Sequence, residues 1–148
     1  MDRIVYTRPD GGVSVVHPVI NTHGEEDDIT EDKALTRALA QLPTDAIAPA
    51  VVEESTIPSD RSFRDAWRYD GRGITVDMAK AREITAARLR RERAPLLAAL
   101  DVAYMRADEA GDAVEKLSIA TEKQRLRDIT KQVGGAANLD GLKNLSAA

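Results

Sequence analysis

The segment MAKAREITAARLRRERAPLLAALDVAYMRADEAG (residues 78–111) is rich in strong helix formers and ends at Gly111, so it predicts one long helical region. Its main apolar positions are Ile84, Leu89, Leu96, Leu97, Leu100, Tyr104 and Met105. Pro95 interrupts the region. Because a proline inside a helix costs about 3 kcal/mol, we expect either a kink or two helices that meet near Arg93.

Residues 113–132 have the pattern of another helix, and only Gly111 and Asp112 separate it from the first. So short a link predicts an antiparallel helical hairpin over residues 77–132. One side of the second helix carries Val114, Leu117, Ala120 and Thr121, and an adjoining side carries Ile119, Leu126 and Ile129. In residues 133–148 a leucine recurs at every third position, which indicates either a docking helix or a flexible tail.

On the N-terminal side of the helices, residues 1–18 predict a β-hairpin. Two β-prone runs flank the sequence RPDGG, whose proline and glycines suit a tight turn. Residues 21–28 form a polar loop that leads into a helix ending near Pro43, with Asp28 and Glu31 spaced as a capping box. The face of this helix that we expect to be buried carries Leu35, Ala38, Leu39 and Leu42.

Residues 46–57 have the content of a strand, and Pro49 places it at the edge of a sheet because proline lacks a backbone donor. Ser59 or Asp60 caps a short helical turn, after which residues 67–77 predict a second hairpin. The fold class is therefore α+β. A small N-terminal unit with two β-hairpins and one helix (residues 1–76) precedes the long antiparallel helical hairpin, and a flexible or docking tail follows.

Composition excludes several kinds of site. The chain has 148 residues and no cysteine, so disulfides, thiolate metal ligands and cysteine nucleophiles are excluded. No stretch approaches ~20 apolar residues, so we expect no membrane insertion.

The charge is distributed unevenly along the chain. Residues 1–60 carry four basic and twelve acidic side chains, whereas residues 61–132 carry sixteen basic and twelve acidic ones. This asymmetry favours either self-association or two differently solvated surfaces.

The sequence SDRSFRDAW, residues 59–67 and here called the aromatic segment, holds two of the five aromatic residues. Phe63 and Trp67 lie four positions apart, and Tyr69 follows shortly after. Two interpretations remain open, because large rings stabilise cores and also dominate protein interfaces.

Five arginines between Arg82 and Arg93 are the best candidate for binding a polyanion. They do not form one stripe at 100° per residue, and no aromatic residues lie among them. We therefore expect salt-bridged helix surface, with a small nucleic-acid-binding regulator as the alternative function.

A metal-dependent site is a third hypothesis. His17 and His23 lie six positions apart and close to the acidic residues 25–28, although the spacing matches no metal motif. A solvated loop explains the same residues, so we expect no bound metal.

The order of several motifs gives a family resemblance. DRSFRDAW at 60–67, RRERAPLL at 90–97, Asp101 and KQRLRDIT at 123–130 together resemble the small phage tail assembly chaperone and tail fibre assembly group. Similar proteins occur in prophages of alphaproteobacteria, and residues 57–130 carry the resemblance.

The resemblance implies a bacteriophage tail morphogenesis protein that acts by protein–protein binding, without enzymatic activity and without a cofactor. Its partner would be a tail or tail-fibre protein, with self-association as a further possibility. It would act in the host cytoplasm during assembly or remain in the virion tail. Our candidate partner-binding residues are Phe63, Arg64, Trp67, Tyr69, Arg90 and Arg93. We also expect a structural ion pair between Asp101 and Arg127, and another from Asp128 to an arginine of the first helix.

Overall fold

The structure, a computed structural model, describes residues 1–20 and 30–148. The chain divides into two compact units, an N-terminal unit (Met1–Asp77) and a C-terminal unit (Met78–Ala148). The first contains two small sheets and the second is helical, so the predicted α+β class is confirmed. Within the described ranges, no helix combines the length and apolarity needed to span a membrane.

The N-terminal unit contains a three-stranded antiparallel sheet in which β1 (Asp2–Thr7) is central. β2 (Val13–Val16) pairs with one of its edges and β3 (Ile47–Glu53) with the other. The turn between β1 and β2 is the predicted RPDGG turn, where Asp10 Oδ1 accepts a hydrogen bond from the Gly12 N–H at 2.8 Å. β3 is an edge strand, as Pro49 predicted.

A bulge interrupts the pairing of β1 with β3. The register shifts between Val5 and Thr7, where Ala48 and Pro49 lie across from Tyr6. Ala48 has a φ of 48°, which is a left-handed conformation that a residue with a Cβ adopts at a cost. The bulge is therefore a strained position in an otherwise regular sheet.

The helix of the N-terminal unit, α1 (Glu31–Ala40), contacts β1 and buries Ala34. Leu35, Ala38 and Leu42 of the expected face are half-buried beside Ala34, whereas Leu39 is exposed. Thr30 is the N-cap residue, and the side chain of Glu31 accepts a hydrogen bond from the Asp2 N–H at 2.6 Å. The predicted loop over 21–28 and Asp28 of the capping box lie outside the described residues.

A second sheet of two strands, β4 (Trp67–Tyr69) and β5 (Ile74–Val76), forms the predicted second hairpin. Its turn is fixed by Asp70 Oδ1, which accepts hydrogen bonds from the N–H groups of Arg72 at 2.8 Å and Gly73 at 3.0 Å. A short 3₁₀ turn (Arg64–Ala66) precedes β4 and places Trp67 in the core of this unit.

The C-terminal unit begins with α2 (Met78–Glu109), which continues as one helix of 32 residues through Pro95. The alternative of two separate helices is therefore wrong. α3 (Ala113–Asp128) follows after a turn at Gly111, and Asp112 caps it by accepting a hydrogen bond from the Glu115 N–H at 2.9 Å. α2 and α3 pack together as the predicted antiparallel hairpin.

The helix α3 is shorter than expected because residues 129–135 form a 3₁₀ turn (Ile129–Gly135). A final helix, α4 (Leu139–Asn144), packs against α2. Leu142 and Ala147 are fully buried, so the C-terminal segment docks on the hairpin and does not form a flexible end.

The hairpin buries one side of each helix. Buried positions are Ala81, Thr85, Leu89 and Ala107 of α2, and Ile119 and Leu126 of α3. Met105, Val114 and Leu117 are exposed, so of the two apolar sides of α3 the one with Ile119 and Leu126 is buried. Two packed helices cover only one face of each other, which leaves the opposite faces in contact with solvent.

Candidate protein-interaction surface

The structure resolves the two interpretations of the aromatic segment. Trp67 has an exposed fraction of 1% and forms a buried cluster with Val5 and Val13, and Phe63 is also buried. Both rings therefore serve as core packing of the N-terminal unit. As long as this unit stays folded, neither ring is accessible to a partner in the manner we expected.

The other two partner-binding candidates in or just after the aromatic segment, Arg64 and Tyr69, are less buried than the two rings. Arg64 is exposed, and Tyr69 is half-buried against the Trp67 cluster. Arg68, which sequence reasoning did not select, donates a hydrogen bond to the carbonyl oxygen of Gly11 and lies 3.4 Å from Asp77 Oδ2. Arg68 thus ties β4 to the first hairpin turn. In that turn Gly11 has a φ of 77°, and a Cβ at Gly11 would collide with the Arg68 side chain.

The arginines of α2 bind backbone carbonyl groups. Arg82 Nη2 donates to the Ala136 carbonyl at 3.2 Å, and Arg88 Nη2 donates to those of Leu142 at 3.1 Å and Leu145 at 2.8 Å. Arg93 Nη1 donates to the Leu126 and Arg127 carbonyls at 3.3 and 2.8 Å. These carbonyls lie near the ends of helices, where backbone acceptors lack helical partners and cations are stabilised.

Residues 136–147, here called the C-terminal strap, are held by two further side chains. Glu92 Oε2 accepts a hydrogen bond from the Ala147 N–H at 3.3 Å, and Arg125 Nη2 donates to the Ala147 carbonyl at 3.0 Å. Arg88 and Glu92 also form an ion pair at 3.1 Å. The sequence offered no local signal for these roles, because the bonded positions lie 22 to 57 residues apart along the chain.

The ion pairs between α2 and α3 differ from those expected. Asp101 pairs with Lys123 at 2.5 Å and Asp108 pairs with Lys116, while both lysine ammonium groups lie within 5.5 Å of the Tyr104 ring centroid. These pairs set an antiparallel register in which position 101 lies beside position 123, so Lys123 takes the place of Arg127, which lies one helical turn further on.

The last expected ion pair also has a different partner. Asp128 pairs with Lys131 at 2.6 Å, within its own segment, and not with an arginine of α2. Hydrogen bonds from Lys131 and from Gln124 lower the pKa of the Asp128 carboxyl group.

The most exposed apolar side chains of the C-terminal unit lie on the face of α3 that points away from the buried side. Val114 is 82% exposed and Leu117 is 71% exposed. At 100° per residue they lie roughly opposite the buried Ile119, together with the exposed Thr121. We call Val114, Leu117 and Thr121 the outer face of α3. These three residues are uncharged, which is typical of the central part of a protein interface, whereas Arg125 and Asp128 lie at similar angles near the C-terminal end of the helix.

No metal centre is found in the described ranges 1–20 and 30–148, where no group of three ligating side chains lies together. His17 is described and exposed. The other members of the proposed metal site, His23 and the acidic residues 25–28, lie outside the ranges that the structure describes.

Together the fold and these surfaces define a two-unit α+β protein in which Val114 and Leu117 of the helical hairpin are among the most accessible apolar side chains. The chain is 26% identical, over 156 aligned positions, to the thymidylate kinases of Francisella tularensis subsp. holarctica strains FTNF002-00 / FTA, OSU18 and LVS. The alignment covers 95% of this chain and 75% of each relative. No family model matches the chain, and no solved structure matches it.

This comparison corrects one expectation. From the sequence we expected no enzymatic activity, but the proteins to which the chain is similar are named for an enzyme, a thymidylate kinase. The prediction of a chain without enzymatic activity is therefore contradicted.

Proposed function

We propose that this chain is a bacteriophage tail morphogenesis protein and that it binds a tail or tail-fibre subunit through the outer face of α3. The motif order at residues 57–130 supports the biological setting. The observation that carries the binding role is the exposure of Val114 and Leu117 on a regular helix.

Burial of these two side chains would contribute part of the binding free energy of such a contact. Burying a large aliphatic side chain contributes about 1.5–3 kcal/mol, so Val114 and Leu117 together contribute several kcal/mol when a partner covers them. Their spacing of three residues suits recognition of one side of a helix by a hydrophobic groove. The partner therefore presents an apolar groove or a complementary helix.

The N-terminal unit has a supporting role in this proposal. Phe63 and Trp67 hold its core, while Arg64 of this unit and Arg90 of the C-terminal unit are exposed and remain candidates for separate polar contacts with a partner. Arg93 is occupied by the carbonyl groups at the end of α3 and acts within the C-terminal unit. The protein acts in the host cytoplasm during assembly, or it remains in the virion tail.

The experiment is co-purification of the full chain with each tail and tail-fibre protein encoded by the same phage or prophage. We expect Leu117→Glu and Val114→Glu to abolish capture of one of these proteins, because a charge on the outer face cannot be buried without a partner. Arg127→Glu is the control, since this exposed residue of the same helix lies about 80° from Leu117 and about 140° from Val114.

Two results would contradict the proposal. One is that no tail or tail-fibre protein is captured by the unchanged chain. The other is that the Arg127→Glu and Leu117→Glu chains capture the same protein equally well.

The comparison with known proteins favours a second candidate function, a thymidylate kinase activity. Similarity over 95% of the chain is its specific support. Since kinases transfer a phosphoryl group from a nucleoside triphosphate, the test is formation of thymidine diphosphate from thymidylate, ATP and Mg²⁺ by the purified chain. Turnover would establish this activity, and its absence at high protein concentration would remove the candidate.

The nucleic-acid alternative gains no support from the structure. Arg82, Arg88 and Arg93 donate to carbonyl groups of their own unit. Of the five arginines between positions 82 and 93, Arg90 and Arg91 are left exposed, which is a small charge for a phosphate-binding surface.

A further inference from the structure

The side of α2 that faces away from the buried core carries an exposed apolar stripe. It consists of Ala94, Ala98, Val102 and Met105, all of which are exposed, with Val102 at 43% and Met105 at 57%. At 100° per residue these four positions fall within about 80° of one another and opposite the buried Ala107. They therefore form a continuous line along about three turns of helix.

A positively charged residue lies before this stripe and a negatively charged residue lies after it. Arg91 precedes it and Glu109 follows it, and both side chains are exposed. The two positions point in the same direction and lie about 27 Å apart at 1.5 Å per residue. In the ranges covered by the structure neither side chain forms an ion pair within the chain.

This arrangement is self-complementary. If a second α2 lies antiparallel against the first, with a two-fold axis at position 100, Arg91 of each copy meets Glu109 of the other. The same operation brings Ala98 opposite Val102, and the small alanine side chains permit the close approach of two helices. A parallel arrangement would instead place like charges together.

We propose that the outer side of α2 is a self-association surface and that its occupant is a second copy of this chain, paired antiparallel about position 100. Two ion pairs and a central apolar contact define the interface. This inference goes beyond the proposed function, because it uses a different helix and a different occupant from those of the tail-protein contact on α3.

The test measures the mass of the full-length chain by sedimentation over a range of concentrations. We expect dimers, and we expect Arg91→Glu and Glu109→Arg each to weaken the dimer by roughly tenfold or more, because each substitution turns two attractive pairs into repulsive ones. An equimolar mixture of these two variants restores the dimer, since one ion pair keeps its original Glu109–Arg91 form and the other reforms with its charges exchanged. Arg127→Glu is the control for net charge, because Arg127 is exposed on α3, and it leaves the dimer unchanged.

Three outcomes overturn the proposal. The chain is a monomer at every concentration, or the two variants dimerise as well as the unchanged chain, or their mixture does not restore association. A fourth outcome would also overturn it. If Ala98→Glu loses capture of a tail protein and Leu117→Glu does not, the occupant of the α2 stripe is that tail protein and not a second copy of the chain. Failure of Leu117→Glu to affect tail-protein capture bears on the proposed function alone.

Discussion

The aromatic segment of the N-terminal unit and the arginines of α2 are the two chemically most conspicuous regions of the chain, and both aromatic rings of the segment and three of the arginines make contacts inside their own unit. Trp67 is enclosed by apolar side chains, whereas Arg82, Arg88 and Arg93 bind backbone carbonyl groups. The exposed apolar side chains that we propose as contact surfaces on α2 and α3 are ordinary valine, leucine, alanine and methionine. The chemical type of a residue therefore does not show whether its side chain makes contacts within the protein or with a partner.

The two regions also differ in the physical basis of their stability. The aromatic cluster depends on apolar burial, which has no preferred direction and responds to lost volume. The arginine contacts depend on directional, charge-assisted hydrogen bonds to a small number of acceptors. Substitutions in the first region should therefore have larger effects than substitutions in the second.

The largest effect is expected for Trp67→Ala, which should destabilise the N-terminal unit by about 3–5 kcal/mol because it empties a fully buried site. Denaturant unfolding followed by circular dichroism measures this change. Trp67→Phe should be much milder, because Trp67 Nε1 has no hydrogen-bond partner within the described chain and its removal leaves no acceptor unpaired. Equal losses for the two variants would contradict this account of the core.

An intermediate effect is expected for Arg88→Ala. It removes the donor to the Leu142 and Leu145 carbonyls and should destabilise the C-terminal strap by about 1–3 kcal/mol. Amide hydrogen exchange should accelerate in residues 139–147. Arg106→Ala, a substitution of an exposed arginine of the same helix, should leave that exchange unchanged.

A smaller effect of opposite sign is expected at the bulge. Ala48→Gly should stabilise the N-terminal unit by about 1 kcal/mol, because glycine adopts the positive φ of this position without steric cost. Thermal unfolding measures the gain. Ala50→Gly in the regular part of β3 is the matched control and should destabilise the unit, so a gain in both variants would contradict the assignment of strain to Ala48.

The smallest effect concerns pH. Hydrogen bonds from the N–H groups of Arg72 and Gly73 lower the pKa of the Asp70 carboxyl group. A group with a lowered pKa stabilises the fold while it is ionised, so its contribution is present above the unfolded pKa of about 3.9 and is lost as the pH falls through the folded pKa. The melting temperature of Asp70→Asn should therefore fall less between pH 7 and pH 3 than that of the unchanged chain, and an identical fall would contradict this role.

Local features were predictable from the sequence, whereas long-range contacts were not. The turn at residues 8–12 is coded by proline, aspartate and glycine, the turn at residues 70–73 by aspartate and glycine, and both hairpins formed as expected. By contrast, the choice of Lys123 over Arg127 as the partner of Asp101 depends on the register between two helices, which no local pattern sets.

The sequence did not show which apolar residues of α2 and α3 are exposed, for a related reason. α2 and α3 carry apolar residues around much of their circumference, so periodicity alone did not separate Met105, Val114 and Leu117 from the buried positions. The strap contacts of Glu92 and Arg125 join positions far apart in the chain, and they became visible when residues 136–147 were placed on the hairpin.

The central claim is that contacts with a tail protein are made by the outer face of α3 and not by the aromatic segment. The most direct measurement places a photo-crosslinking amino acid at position 117, or at the exposed control position 127, and identifies the adducts that form during phage assembly by mass spectrometry. Our account predicts a covalent adduct with a tail or tail-fibre protein from position 117 and much less from position 127. Absence of such an adduct from position 117, or equal yields from the two positions, would contradict it.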